Sequence, residues 1–322
     1  MFRTVIKAVG IAAALAVTAG VASADQWPSR TVRVIIPFSA GSAADIVPRI
    51  VFEQVAAQTK QAFVIENRPG GAFTIGVGAA KAAPADGYTI LAHSNGFVTT
   101  PATQTVNWDP TKDFSGVTTL ADVPMVLVIS PEKKVDTLQQ LVAQAKANPG
   151  SLNYATAGLG APTHLALERL RLAAGFSGQL VPFKGAGEAL TEVATGRVDV
   201  YFSPLAASMP LIESGKLKAL AVAGTKRAKA LPDVPTTTEA GFKNSDFAFY
   251  VGMYVPKDTP REIIDRMNAE VKKALAMPSI QEKLAKIGSE AASMDPEALD
   301  KRTAEELAVT KSLVEAAKIT VQ

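Results

Sequence analysis

The chain contains no cysteine and only two histidines, His93 and His164, in 322 residues. Thiolate catalysis, cysteine metal centres and disulfide frameworks are thereby excluded. Two histidines without a His-x-x-x-His spacing make no credible metal set either. Clustered basic runs are missing: 33 Lys/Arg and 30 Asp/Glu are dispersed, leaving a formal charge of +3, so nucleic acid is not an expected partner. Past residue 24 no apolar run approaches the roughly 20 residues of a membrane-spanning helix, and there is no internal repeat, low-complexity segment or Gly-x-Ser-x-Gly hydrolase elbow.

What is present begins with an address. Arg3 and Lys7 precede the apolar run Ala8–Val21, and Ala22-Ser23-Ala24 has the small-residue pattern of a cleavage site. Residues 1–24 are expected to be a secretory signal peptide, cut before Asp25. The mature chain is too long for one ordinary core and fits two domains of about 150 residues each.

From Thr31 onward, short apolar runs (Val32–Pro37, Phe63–Glu66, Thr89–Ala92, Met125–Ser130, Leu152–Ala155, Val198–Phe202) alternate with helical patterns (Ala43–Gln58, Thr163–Ala174, Ala186–Thr195). This alternation predicts an α/β fold of βαβ units with mostly parallel sheets. After Phe247–Val255 three helical patterns follow almost without strand signal, as in a tail that packs back onto an earlier lobe. Breaks near Ala121–Pro124 and Asp233–Ser245 mark the crossings. Lobe one is then discontinuous, 25–122 with 245–322, and lobe two is 123–244.

Two stretches share one design, a strand running into a loop of small residues that opens a helix: Val34 to Asp45, and Leu152 to His164. Small side chains let helix-start N–H groups reach a ligand, and the dipole favours negative charge there. Two such loops suggest a small anion held between lobes. Ligands of open parallel sheets settle at the carboxyl ends of strands, where His93-Ser94-Asn95-Gly96, Phe183-Lys184-Gly185 and Ser203-Pro204 also lie. The candidate contacts are Phe38, Ser39, Ala40, Gly41, Ser42, Ala43 and Asp45; Ser94 and Asn95; Thr156, Ala157, Gly158, Gly160, Ala161, Thr163 and His164; Lys184, Gly185 and Ser203.

Each has a plainer reading. Ser42 and Asp45 have the spacing of a reciprocal capping box, and Asp45 would repel a carboxylate unless water or a ligand ammonium lies between. Phe38 is either core or an apolar wall. Thr163 either donates to an anion or satisfies a helix end, and His164 is either a packed imidazole or a charge switch. Lys184 either faces a carboxylate, a contact of roughly 1.5–3 kcal/mol, or is a solvated lysine.

With Glu66-Asn67-Arg68-Pro69-Gly70-Gly71, Ala85-Asp86-Gly87-Tyr88-Thr89 and Leu231-Pro232-Asp233-Val234-Pro235-Thr236 added, these loops resemble the tripartite tricarboxylate transporter substrate-binding proteins, the Bug or TctC-like family. The match runs in order over nearly the whole mature chain. The resemblance implies a two-lobed periplasmic binding protein of Venus-flytrap type with a hinged cleft. It would hold a carboxylate through both glycine loops, here Phe38 to Asp45 and Ala157 to His164, and through a second-lobe Lys-Gly, here Lys184-Gly185. It also implies delivery to a membrane transporter of one large and one small subunit. The chain departs from the family at Gly41-Ser42, where relatives commonly have Gly-Gly, and at Ser203-Pro204, where they often carry Asp or Asn. Both positions bear on specificity.

The expected function is reversible capture of a small carboxylate by a monomer, without catalytic residue, metal or cofactor. An aliphatic dicarboxylate of four to six carbons is the leading guest. The same loops would also take an aromatic carboxylate against Phe38, or an acidic amino acid. The rival classes are an exported hydrolase using a loop serine and histidine, and a signalling module that binds protein partners.

Overall fold

A computed structural model describes residues 27–319, and the expected signal peptide lies outside them. The chain opens with β1 (Val32–Ile36), α1 (Ala43–Thr59), β2 (Phe63–Asn67), α2 (Thr74–Lys81), β3 (Thr89–Ser94), the single turn α3 (Gly96–Thr99) and β4 (Phe114–Asp122). It continues through β5 (Met125–Ile129), α4 (Leu138–Ala147), β6 (Leu152–Thr156), α5 (Pro162–Ala174), β7 (Gly178–Pro182), α6 (Ala186–Ala194), β8 (Val200–Pro204), α7 (Leu205–Glu213) and β9 (Lys218–Val222). The last part is β10 (Tyr250–Pro256), α8 (Arg261–Leu275), α9 (Pro278–Lys286), β11 (Glu290–Ala291) and α10 (Pro296–Ala317).

Two sheets result, a six-stranded one in the order β11-β4-β10-β3-β1-β2 and a five-stranded one in the order β7-β6-β8-β5-β9. The α/β class holds, but mostly parallel sheets are corrected to two mixed ones. β1 pairs in parallel with β2 and β3, and β6 with β7 and β8. β10 runs antiparallel between β3 and β4, β11 antiparallel to β4, and β5 antiparallel to β8 and β9. Parallel neighbours need a crossover, usually a helix, as between β1, β2 and β3; the antiparallel strands β4, β5, β9 and β10 are instead those joined by the two passages between the sheets, the first through Val123 and Pro124 alone.

β4 carried no strand signal because its sequence, Phe-Ser-Gly-Val-Thr-Thr-Leu-Ala-Asp, mixes polar and small residues. It is nevertheless buried up to its last residue. Its polar groups find partners: Thr118 Oγ1 donates to Met294 O at 3.0 Å, and Thr119 Oγ1 to Ala292 O at 2.9 Å. Gly116 lies under Leu299 of α10, where a Cβ would come within 2.9 Å of that side chain.

The two passages between sheets lie side by side. Val123 N–H donates to Phe249 O at 2.9 Å, and Phe247 N–H donates to Ala223 O at 3.0 Å. All five residues of β5 and of β8 are buried, as expected for central strands covered on both faces. Helices α1, α8 and α9 cover the larger sheet on one side, with Val47, Val51, Phe52, Met267 and Val271 in the core. α10 lies along β4 and also meets α5 of the other unit.

Candidate functional site

The loops after β1 and β3 of one sheet and after β6, β7 and β8 of the other border one cleft of about 730 Å³. Its lining includes Phe38 to Ala44 and Ser94 from one side, and Ala157, Gly158, Ala161, Thr163, Lys184 and Gly185 from the other. Asp45, Asn95, Thr156, Gly160, His164 and Ser203 lie behind these walls instead.

The first loop is braced from within. Asp45, 2 % exposed, accepts from Gly41 N–H at 2.9 Å, from Arg49 Nε at 2.9 Å and from Asn67 Nδ2 at 2.8 Å. Asn67 Nδ2 also donates to Phe38 O at 3.0 Å. The capping box does not form: the carboxylate takes the N–H one residue before the cap, and the Ser42 side chain makes no cap bond. Ser42 is extended, at φ −73° and ψ 159°, so its replacement of a glycine costs no backbone strain. Its Oγ is buried with no partner among the described residues. Ala43 and Ala44 begin α1, where N–H groups have no intrahelical acceptor.

An aromatic wall adjoins this loop. Phe73 lies in the left-handed region, at φ 74° and ψ −6°, a conformation that is costly for a bulky residue. Its ring packs on Phe38 at 4.7 Å and edge-on to His93 at 4.8 Å. Burial pushes His93 down to about 3, so the imidazole is neutral. His93 Nδ1 lies 2.8 Å from Ser94 O and donates to it, and Nε2 has no partner among the described residues. Ser94 Oγ accepts from Gly96 N–H at 3.2 Å. Asn95 works in the core, where Nδ2 donates to Ala248 O at 3.0 Å and to Glu306 Oε1 of α10 at 2.7 Å.

The second loop is held by its own hydroxyls. Thr156 Oγ1 donates to Gly158 O at 2.8 Å, so the 2.9 Å contact with Thr163 Oγ1 uses the Thr163 proton. Thr163 Oγ1 accepts in turn from Ala157 N–H at 3.1 Å. Gly160 N–H donates to His164 Nδ1 at 3.1 Å, which places the imidazole proton on Nε2. Burial, opposed by the nearby Glu168 carboxylate, holds His164 below its ordinary value. Gly160 takes φ 71° against Thr103 of the other unit, where a Cβ would lie 1.9 Å from Thr103 Oγ1.

Lys184 and Glu188 are the charged side chains of the lining among the described residues. Glu188 Oε2 accepts from Lys184 N–H at 3.1 Å over the start of α6. Ser203 is buried and donates to Pro204 O at 3.1 Å. Lining residues that sequence reasoning missed include Phe73, Gln104, Glu188, Tyr201 and Phe249. Phe73 had a signal in the Pro69-Gly70-Gly71 turn before it. Tyr201 and Phe249 sit inside strand-like runs, where local pattern does not separate core from cleft. Gln104 donates through Nε2 to Leu159 O, joining the two units at one edge of the cleft. No group of three potential metal ligands occurs among the described residues.

The comparisons agree with one another. The family described as "Tripartite tricarboxylate transporter family receptor" matches residues 47–319. Protein BugT of Bordetella pertussis is 32% identical over 287 residues, 88% of this chain and 88% of BugT. The "UPF0065 protein in tcbD-tcbE intergenic region" of a Pseudomonas species is 35% identical over 277 residues, 85% of this chain and 82% of the relative. Among solved structures, an R. palustris protein with adipate superposes with a TM-score of 0.87 at 32% identity, over 92% of this chain and 100% of that one. The periplasmic binding protein BugD gives 0.84 at 31%, over 92% and 100%. MatC from Rhodopseudomonas palustris with bound malate gives 0.82 at 27%, over 89% and 100%. With its two sheets, its bordering loops and these relatives, the chain has the two-lobed fold of periplasmic binding proteins and belongs to the tripartite tricarboxylate transporter receptor family.

Proposed function

We propose that this chain is an exported, monomeric solute-binding protein that captures a small carboxylate between its lobes and hands it to the membrane subunits of a tripartite tricarboxylate-type transporter. The lobes are residues 25–122 with 245–322, and residues 123–244. One observation carries the reading: two helix starts, at Ala43 of α1 and Pro162 of α5, belong to different sheets and border one cleft. An anion placed there bridges the lobes, so it stabilises the closed state more than the open one and drives hinge closure.

An aliphatic dicarboxylate of four to six carbons is the proposed guest, supported by the adipate and malate in the two R. palustris relatives. Helix-start contacts of about 0.3–1 kcal/mol each, ~2 when partly buried, together with neutral donors and Lys184, suffice for the roughly −8 kcal/mol of micromolar binding. The cleft-lining residues of both loops with Ser94, Lys184 and Gly185 make the direct contacts. Asp45, Asn95, Thr156, Gly160, His164 and Ser203 position them.

Turnover is not proposed. Ser94 and Ser203 are engaged by backbone, His93 Nδ1 is spent on a carbonyl, and His164 Nδ1 accepts an amide proton, so among the described residues no serine–histidine pair is set for nucleophilic attack. Thermal shift of the mature protein against a carboxylate panel tests the function. A guest at a hundred times its dissociation constant adds ~2.7 kcal/mol. Stabilisation by neutral sugars and by no carboxylate would overturn the assignment.

A further inference from the structure

Four consecutive residues at the edge of the cleft take positive φ: Gly70 at 113°, Gly71 at 55°, Ala72 at 47° and Phe73 at 74°. Glycine accepts this freely, whereas a side chain makes it costly and a bulky residue there is an outlier. Such strain persists only where the surroundings over-determine it, and it gathers where ligands are clamped. Here Thr74 Oγ1 donates to Gly71 O at 2.5 Å, and Gly76 of α2 lies so close to Pro37 that a Cβ would come within 2.8 Å of its ring. The turn is thereby pinned beside the loop that opens α1. What the strain secures is the place of one ring. Phe73 is half-buried, lines the cleft and packs on Phe38, with the imidazole of His93 edge-on to both rings at 4.8 Å. His93 is fully buried behind them and turns Nδ1 to Ser94 O, so what this wall shows the cleft is hydrocarbon. A residue needed only to turn the chain would be glycine, as at 70 and 71.

We propose that Phe73 is a specificity-determining residue: with Phe38 it packs on the carbon chain between the guest's carboxylates and selects dicarboxylates whose chain carries no hydroxyl. The inference rests on the carboxylate-binding reading above and names the class of guest within it. A methylene chain laid on the two rings leaves water without losing a hydrogen bond, whereas a hydroxyl pressed there gives up a water partner that neither ring replaces. Guests with and without the hydroxyl carry the same charge, so the chain alone decides between them.

The test is calorimetric affinity of the wild type, Phe73→Gly and Phe73→Asn for two matched pairs, succinate with malate and adipate with its monohydroxylated analogue. Each pair differs by one hydroxyl. In any pair it binds, the wild type is expected to hold the unsubstituted member about tenfold to a hundredfold tighter, the scale on which an apolar pocket rejects an added hydroxyl. Glycine takes the same φ without strain and asparagine tolerates it, so both variants keep the turn. Phe73→Gly is expected to bring the preference within a pair toward parity, and Phe73→Asn, which sets a hydrogen-bonding amide in the wall, to bring it further toward the hydroxylated guest. An affinity loss shared equally by both members of a pair is the mark of a structural role and overturns the proposal. So does a wild type that binds both members equally, prefers the hydroxylated one, or binds neither pair. If it also binds no other carboxylate of the thermal-shift panel, the functional reading falls as well.

Discussion

The polar side chains nearest the cleft divide into those that face it and those that hold it still. Asp45 is the clearest of the second kind: paired with Arg49 and Asn67, it braces Gly41 from behind and brings no free charge to a carboxylate. Residue types were legible in the sequence here, and directions were not. Nothing in Ser42-Ala43-Ala44-Asp45 tells a reciprocal cap from a brace one residue earlier, because both use the same acid and differ only in which N–H it meets. His93 gives a prediction at this scale. Burial holds it at about 3 in the fold, against an ordinary 6.5. Because the folded value is depressed, the unfolded chain binds more protons below pH 6.5, and stability falls as pH drops toward 3. Between pH 7 and pH 5 this one group removes about 2 kcal/mol. Urea unfolding of the wild type and His93→Phe at both values should show the gap between them shifting by that amount. A constant gap would mean that the imidazole charges within the fold.

Elements with strong period were read correctly from sequence, and those whose burial is unusual were not. The α1 and α5 patterns stand nearly where expected, at Ala43–Thr59 and Pro162–Ala174. β4 escaped because burial on both faces was bought with threonine hydroxyls bonded to the segment before α10, a long-range arrangement that leaves no local trace. The loop between β6 and α5 is the element on which capture depends most. It is shaped by Gly160 packed against Thr103, and by hydrogen bonds through Thr156, Thr163 and His164. Gly160→Ala is therefore expected to cost more than ~1 kcal/mol from left-handed backbone alone, with further loss from contact with Thr103. Thermal unfolding should show the drop, and carboxylate affinity should fall with it. An unchanged melting temperature would show that the loop does not pack in this way.

At the scale of the molecule, the two passages through Val123 and Phe247–Phe249 are the only covalent ties between the sheets among the described residues. Lys226 and Lys229, which follow β9, each lie 3.2 Å from Glu290 Oε2 in β11, so ion pairs also cross between the units beside those passages. Both lysines are well exposed, and such pairs contribute at most about 1 kcal/mol each. The balance between open and closed states is thus left to the cleft and its edge, where Gln104 meets Leu159, Gly160 meets Thr103 and α10 meets α5. Small-angle X-ray scattering should show the radius of gyration falling when a bound carboxylate closes the lobes. Tight binding with no change in radius would replace hinge closure with capture by a preformed site.

The walls of that cleft carry one lysine and one glutamate, side by side at the start of α6. Opposite in sign, they leave the lining without net formal charge among the described residues, and the dipoles of helix starts fade within a turn. A guest in bulk water consequently meets no net charge on the cleft walls to draw it in: encounter is left to diffusion, and selection begins only at touching distance.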